Sequence, residues 1–189
     1  MSGTDSQKLW SGRFNAATDE LMERFNASIG FDRKLLEADV AGSVVYAQAL
    51  HKAGVLDAGE VKRLIEGLQQ VRQEIGAPGC ELGPELEDIH MAVETRLTQI
   101  VGTLGGKLHT GRSRNDQIAT DIRLWLRDAV DALVAELGGS FSAEHGIGIY
   151  KLGSMARHKN PVALDVMRAI KGALDPKGIL NPGRMVEGV

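Results

Sequence analysis

The chain has 189 residues, 43% of them apolar, enough for one domain or two small ones around a real core. A formal charge of -3 and a pI near 6.0 exclude a general nucleic-acid role, because phosphate binding wants a strong positive excess; any anion site must be local. One cysteine permits no internal disulfide, residues 1–8 lack the apolar core of a signal peptide, and no apolar run approaches the roughly 20 residues of a membrane span, so a cytoplasmic chain away from membranes is expected.

In chain order, the first predicted helix is capped by Thr18, with Asp19 and Glu20 at the positive end of its dipole. A second carries Leu36, Val40, Val44 and Ala47 on one face. Asp57 and Glu60 have capping-box spacing for a third, whose stripe is Val61, Leu64, Ile65, Leu68, Val71 and Ile75, and Gly76 with Pro78 ends it. The loop that follows holds Cys80, read as an idle surface thiol. Pro84 suits the first turn of a fourth helix burying Leu86, Ile89, Val93, Leu97 and Ile100, and Gly102 to Gly106 then breaks the pattern.

The strongest periodic run spans about 113–137. Ile118, Ile122, Trp125, Leu126, Ala129, Val130, Leu133, Val134 and Leu137 recur at spacings of three and four, giving an apolar seam on roughly 37 Å of helix. So long a seam wants a neighbouring helix, which points to a bundle completed by other subunits, and 4% aromatics with little strand-like alternation fit the same all-α architecture.

Just ahead of that helix lies His109-Thr-Gly-Arg-Ser-Arg-Asn-Asp-Gln117. Ser113 and Asp116 have the spacing of a reciprocal cap, and Gly111 allows a sharp turn. Unpaired N–H groups of a helix start, joined by Arg112 and Arg114, suit a carboxylate-bearing ligand. From spacing alone, an ordinary capped helix with solvated arginines explains the same residues more simply.

This segment, with "KLWSGRF" (Lys8 to Phe14), "FNASIGFDR" (Phe25 to Arg33) and "EDIHMAVETRL" (Glu87 to Leu97), resembles the N-terminal part of argininosuccinate lyase over about residues 8–137. The resemblance implies an all-helical fold of the fumarase and aspartase superfamily, assembled as a homotetramer around long helices. It implies elimination of argininosuccinate to arginine and fumarate without a cofactor or metal. In that reaction a base removes a proton beside a carboxylate, donors hold the carbanion, and an acid helps the guanidinium nitrogen leave. Ser28 and Asn115 match substrate-binding positions, Ser113 and Arg114 would lie beside the same carboxylates, and His90 matches a pocket histidine. A histidine bonded to backbone at a helix start is the alternative for His90, and His109 is at most a positioning residue.

In the family each active site draws three segments from three subunits. The second, a "THxQ" stretch with the catalytic histidine, does not occur here. The third, a "GSSxMPxKxN" loop with the proton-abstracting serine, is not matched by Gly153-Ser-Met-Ala-Arg-His-Lys-Asn160, which is two residues short and lacks the second serine and the proline. No catalytic residue is therefore expected in the chain.

From 138 to about 186 the sequence resembles instead the C-terminal end of FAD-linked oxidases and D-2-hydroxy-acid dehydrogenases, through "GGSFSAEHGIGIYK" and "RHKNPVALDVMRAIKGALDPKGILNPGR". By that likeness Glu144, His145 and Asn181 are weak cofactor-side candidates. One Glu-His pair is poor metal evidence, Gly146-Ile-Gly148 has no strand or third glycine for a dinucleotide fingerprint, and no FAD site is expected. Asn160 and Pro161 start a helix with a stripe of Ala163, Val166, Met167, Ile170 and Leu174, which Asp175-Pro176 ends; Lys177 to Gly183 is a pair of turns.

The expected organisation is a lyase-like helical domain over 1–112, the start of a bundle helix over 113–137, and an oxidase-like tail over 138–189. Three functions compete: an argininosuccinate-lyase-type enzyme, chimeric and weak alone; a fragment of an FAD-linked oxidoreductase acting on 2-hydroxy acids; and a non-catalytic helical partner of lyase subunits. The first and third imply a carboxylate-bearing small molecule and association with itself or with lyase chains.

Overall fold

Asp57 marks a helix boundary legible in advance. Its carboxylate accepts the Glu60 N–H at 2.8 Å while Glu60 Oε2 accepts the Asp57 N–H at 3.1 Å, both halves of a capping box. The computed structural model describes residues 19–140, 142, 145–184 and 186. Among these the secondary structure is all helical, with no strand. The chain divides into two compact units, Met1–Trp125 and Leu126–Val189.

In the first unit the helices are α1 (Glu20–Asn26), α2 (Ile29–Asp32), α3 (Leu36–Lys52), α4 (Ala58–Gly76), α5 (Ile89–Val101) and α6 (Leu104–Lys107), followed by α7 (Arg114–Glu136), whose residues past Trp125 belong to the second unit. Three boundaries differ from expectation. Thr18 lies outside the described residues, and the described N-cap is Asp19, which accepts from Leu21 N. Pro84 begins a separate 3-10 turn, Pro84–Leu86, and α5 starts only at Ile89 because Asp88 caps it by accepting from Met91 N at 2.6 Å. The Gly102 to Gly106 break contains the single turn α6, reached through Gly102 at φ 70°.

The core of this unit lies among α3, α4 and α5. Val40 and Ala47 of α3, Leu64, Leu68 and Val71 of α4, and Ile89, Val93 and Leu97 of α5 are buried together. Each large apolar side chain so buried is worth about 1.5–3 kcal/mol. Arg33 closes the end of α4: its guanidinium donates to the carbonyls of Ile75 at 2.6 Å and Cys80 at 2.7 Å, a cation where the helix dipole is negative.

The seam along the 23 residues of α7 stays largely outside the core of this chain, as expected of a bundle helix that other subunits cover. The buried residues of the helix are Gln117 and Asp121, whereas Ile122, Leu126, Val130 and Leu133 are about half exposed. Trp125, half-buried, packs on the first core with the Lys34 ammonium 4.6 Å from its ring centroid. The helix ends at Gly138, φ 67°, where Gly138 N donates to Ala135 O and Gly139 N to Val134 O at 2.8 Å, the paired bonds of a Schellman motif.

Within the second unit, Gly153 to His158, the start of the segment that fails to match the family's loop, lies in α8 (Leu152–His158). Asn160 then caps α9 (Pro161–Leu174), with proline in the first turn as expected. The buried residue of α9 is Leu164, packed with Met155, Val186, Ile147 and Met167, while Val166, Ile170 and Leu174 of the predicted stripe are exposed. Asp175 ends the helix and folds the following turn by accepting from Ile179 N at 2.9 Å and Leu180 N at 2.8 Å.

Candidate functional site

Where α7 begins, a turn is held in place from two sides. Gly111 takes φ 67°, Tyr46 of α3 donates its hydroxyl to Thr110 O at 2.8 Å, and Arg112 donates to Ser43 Oγ at 3.1 Å while lying 5.0 Å from the Tyr46 ring centroid. Ser113 accepts the Asn115 N–H at 3.3 Å; among the described residues Asp116 returns no bond to it, so half of the expected reciprocal cap forms. Arg114, half-buried, donates to Glu94 of α5 and to Gln117 Oε1 at 2.8 Å. Ser113 and Asn115 are exposed at the helix start.

Behind this turn three helices meet through charge. Asp39 of α3, His90 of α5 and Asp121 of α7 are all but removed from solvent, at 0%, 2% and 0% exposure. His90 Nδ1 lies 3.4 Å from Asp39 Oδ1 and 3.4 Å from Asp121 Oδ2. Gln117 donates its amide to Asp39 Oδ1. Asp39 Oδ2, both oxygens of Asp121 and His90 Nδ1 are buried with no hydrogen-bond partner. Burial first, and then the Asp39 carboxylate beside it, push the Asp121 carboxyl up to about 7. For His90 burial opposes the charged form, but the Asp39 carboxylate 3.4 Å away and the charges of Asp88 and Asp121 outweigh it and raise its pKa. Burial lowers the Arg112 pKa against the pull of Asp39 and Asp121.

A cleft with free space of about 20 Å³, room for one water-sized group, lies between this cluster and the turn. Ser43, His90, Glu94, His109, Arg112 and Gln117 are among its walls. His109 Nδ1 stands 3.9 Å from Glu94 Oε2. Ser28 is placed beside α5 by a different route. Its hydroxyl donates to Asp32 Oδ2 at 2.5 Å, Asp32 Oδ1 accepts from Ile89 N at 3.2 Å, and Ser28 N donates to Glu87 O at 2.8 Å. Burial raises the Asp32 pKa despite the bonds from Ser28 and Ile89.

The structure thus brings Arg114 and His90 to one cleft region through Glu94 and Gln117 and sets Ser28 at the N-terminus of α5. His90 Nδ1 faces the carboxylates of Asp39 and Asp121. Asp39, Ser43, Glu94, Gln117 and Asp121 were missed. Their signal was faint: Asp39 interrupts an apolar face between Leu36 and Val40, and Gln117 and Asp121 are four apart on the polar side of α7. In the second unit, Glu144 lies outside the described residues, and His145 and Asn181 are exposed, Asn181 at φ 52°.

Comparison with known proteins gives two overlapping matches. The profile of the family described as "Lyase" matches residues 12–140, more than half of the chain, and the chain belongs to this family. That of the C-terminal domain of FAD linked oxidases matches residues 108–185, overlapping the first along α7. The argininosuccinate lyases of Alkalilimnicola ehrlichii and Hahella chejuensis are 53% and 54% identical to the chain over 132 residues, 70% of this chain and 28% of each relative. That of Hydrogenovibrio crunogenus is 49% identical over 143 residues, 76% of this chain and 30% of the relative. The chain therefore spans less than a third of the length of the curated relatives it matches.

Proposed function

We propose that the chain is an argininosuccinate-lyase-type component of arginine biosynthesis, supplying the carboxylate-gripping segment for the elimination of argininosuccinate to arginine and fumarate. The observation that carries this reading is the 53% identity to an argininosuccinate lyase over 132 residues. The anchored turn at Arg112 to Asn115 supports it, because helix N–H groups and a guanidinium there can meet a carboxylate. Ser28, Ser113, Arg114, Asn115 and His90 are the residues proposed to face or support the substrate. The reaction asks for no cofactor, and the proton-moving side chains come from segments outside these 189 residues, so the chain alone works weakly. The lyase-like part ends near 137 and the oxidase-like tail is a chimeric addition. The setting is the cytoplasm, and association with itself or with lyase subunits, in the family's manner a tetramer, uses the half-exposed seam of Ile122, Leu126, Val130 and Leu133.

Mixing the chain with a full-length lyase inactivated in its own "SRND" segment tests this. Recovered fumarate production supports the reading; co-assembly with no recovery leaves only the non-catalytic partner role, and neither sinks both. The match of residues 108–185 to FAD linked oxidases favours one other reading, an oxidoreductase fragment for 2-hydroxy acids, which requires flavin absorbance in the purified protein.

A further inference from the structure

Position 39 on α3, 90 on α5 and 121 on α7 come from sequence stretches far apart, yet their side chains place one ligand atom each within 4.8 Å of one another. The two edges meeting at His90 Nδ1 are both 3.4 Å. An ion about 2.0–2.2 Å from carboxylate oxygen and imidazole nitrogen in tetrahedral array has edges of about 3.3–3.5 Å. An N–H···O bond, by contrast, closes to about 2.7–3.2 Å. A proton on Nδ1 would face two oxygens at too great a distance and leave Asp121 Oδ1 unmet.

The surroundings point the same way. Among the described residues no lysine or arginine forms an ion pair with either carboxylate, the nearby Arg112 guanidinium being engaged by Ser43 Oγ and the Tyr46 ring. Asp39 is oriented by the Gln117 amide, the kind of outer support that holds a metal-binding carboxylate in place.

We propose that Asp39, His90 and Asp121 bind one divalent ion of the Zn²⁺ class, with a water completing the set, and that this ion fastens α3, α5 and α7 together. Two carboxylates and an imidazole are hard-to-borderline donors that suit Zn²⁺, Co²⁺ or Mn²⁺ better than a thiolate-seeking ion. The role is structural: His90 also stands among the residues proposed to support the substrate, but neither the turn at Arg114 nor any elimination chemistry enters the argument. It revises the expectation of a metal-free chain.

The chain refolded from urea with excess chelator, and separately with Zn²⁺ or Co²⁺, provides the test. Expected are one tightly held ion per chain, the intense visible absorption of four-coordinate Co²⁺, and a melting point raised by about 5–10 °C at 100 times the Kd. Asp121→Asn should weaken binding at least about 100-fold, beyond the effect of losing an outer support, while Cys80→Ser leaves it unchanged. In the unmutated chain the ¹⁵N signal of His90 Nδ1 should shift on adding Zn²⁺, which keeps the test intact should the variant fail to fold. No bound ion, equal binding by Asp121→Asn, or an Nδ1 that stays protonated with Zn²⁺ present would overturn the proposal.

Discussion

Arg114 at the start of α7 donates to Glu94 across the gap to α5, so the guanidinium proposed to hold a substrate carboxylate is already held by one from the chain itself. A ligand must displace or share that partner. Glu94→Gln should therefore tighten fumarate binding several-fold, read by chemical-shift titration, while lowering stability to urea by about 1 kcal/mol. Arg114→Ala should abolish the binding. An unchanged fumarate affinity in Glu94→Gln would remove Arg114 from the carboxylate site.

In chelated buffer the buried cluster makes stability depend on pH. Asp121 is raised to about 7 by burial and the Asp39 carboxylate, and the net shift of His90 is also upward. The folded chain thus holds protons that the unfolded chain has released, so stability is greatest on the acid side and is lost as pH rises through about 7. A loss of about 2 kcal/mol between about pH 5.5 and 8 is expected in denaturant titrations. Asp121→Asn should remove most of that slope; a slope of the opposite sign would contradict the assignment.

Gly67 sits where α4 meets α5, and a methyl group there would come 2.8 Å from Val101 Cγ1 and 2.9 Å from Leu97 Cδ1. Gly67→Ala gains up to about 1 kcal/mol of helix propensity but must push apart a packed layer, at about 1–3 kcal/mol. Net destabilisation is expected in the urea midpoint. A more stable variant would show that α5 yields easily.

The exposed seam of α7 gives a prediction about association. Leu126 and Leu133 are 51% and 54% exposed, and replacing both with Lys should change thermal stability at low concentration by less than about 0.5 kcal/mol each. Concentration-dependent sedimentation of the parent chain should disappear in the variant. A parent that remains monomeric at all concentrations would remove this face from the assembly.

Much of the fold is legible in the sequence because its signals are local. Asp57 and Glu60 cap α4 from three residues apart, and Val61, Leu64, Leu68, Val71 and Ile75 repeat on one face that is buried. The turn at Ser113 to Asn115 could likewise be placed from neighbouring residues. The orientation of α7 could not. Periodicity finds the apolar side of a helix but says nothing of what its polar side meets, and Gln117 and Asp121 turn inward because Asp39 and His90 receive them. Such pairing spans separations of 78 residues for Gln117 and Asp39, invisible to any local window. Pro84 misled for the opposite reason: Asp88 offered a stronger cap four residues on.

The meeting of Asp39, His90 and Asp121 also constrains how the family can drift. Replacing one of the three with an apolar residue takes a partner from side chains that have no access to solvent, a change of about 3–5 kcal/mol, whereas exchanging all three for well-packed hydrocarbon can be close to neutral. The intermediate steps are the forbidden ones. Positions 39, 90 and 121 should accordingly be inherited as a block, retained or lost together across lineages even where the surrounding core has been freely rewritten.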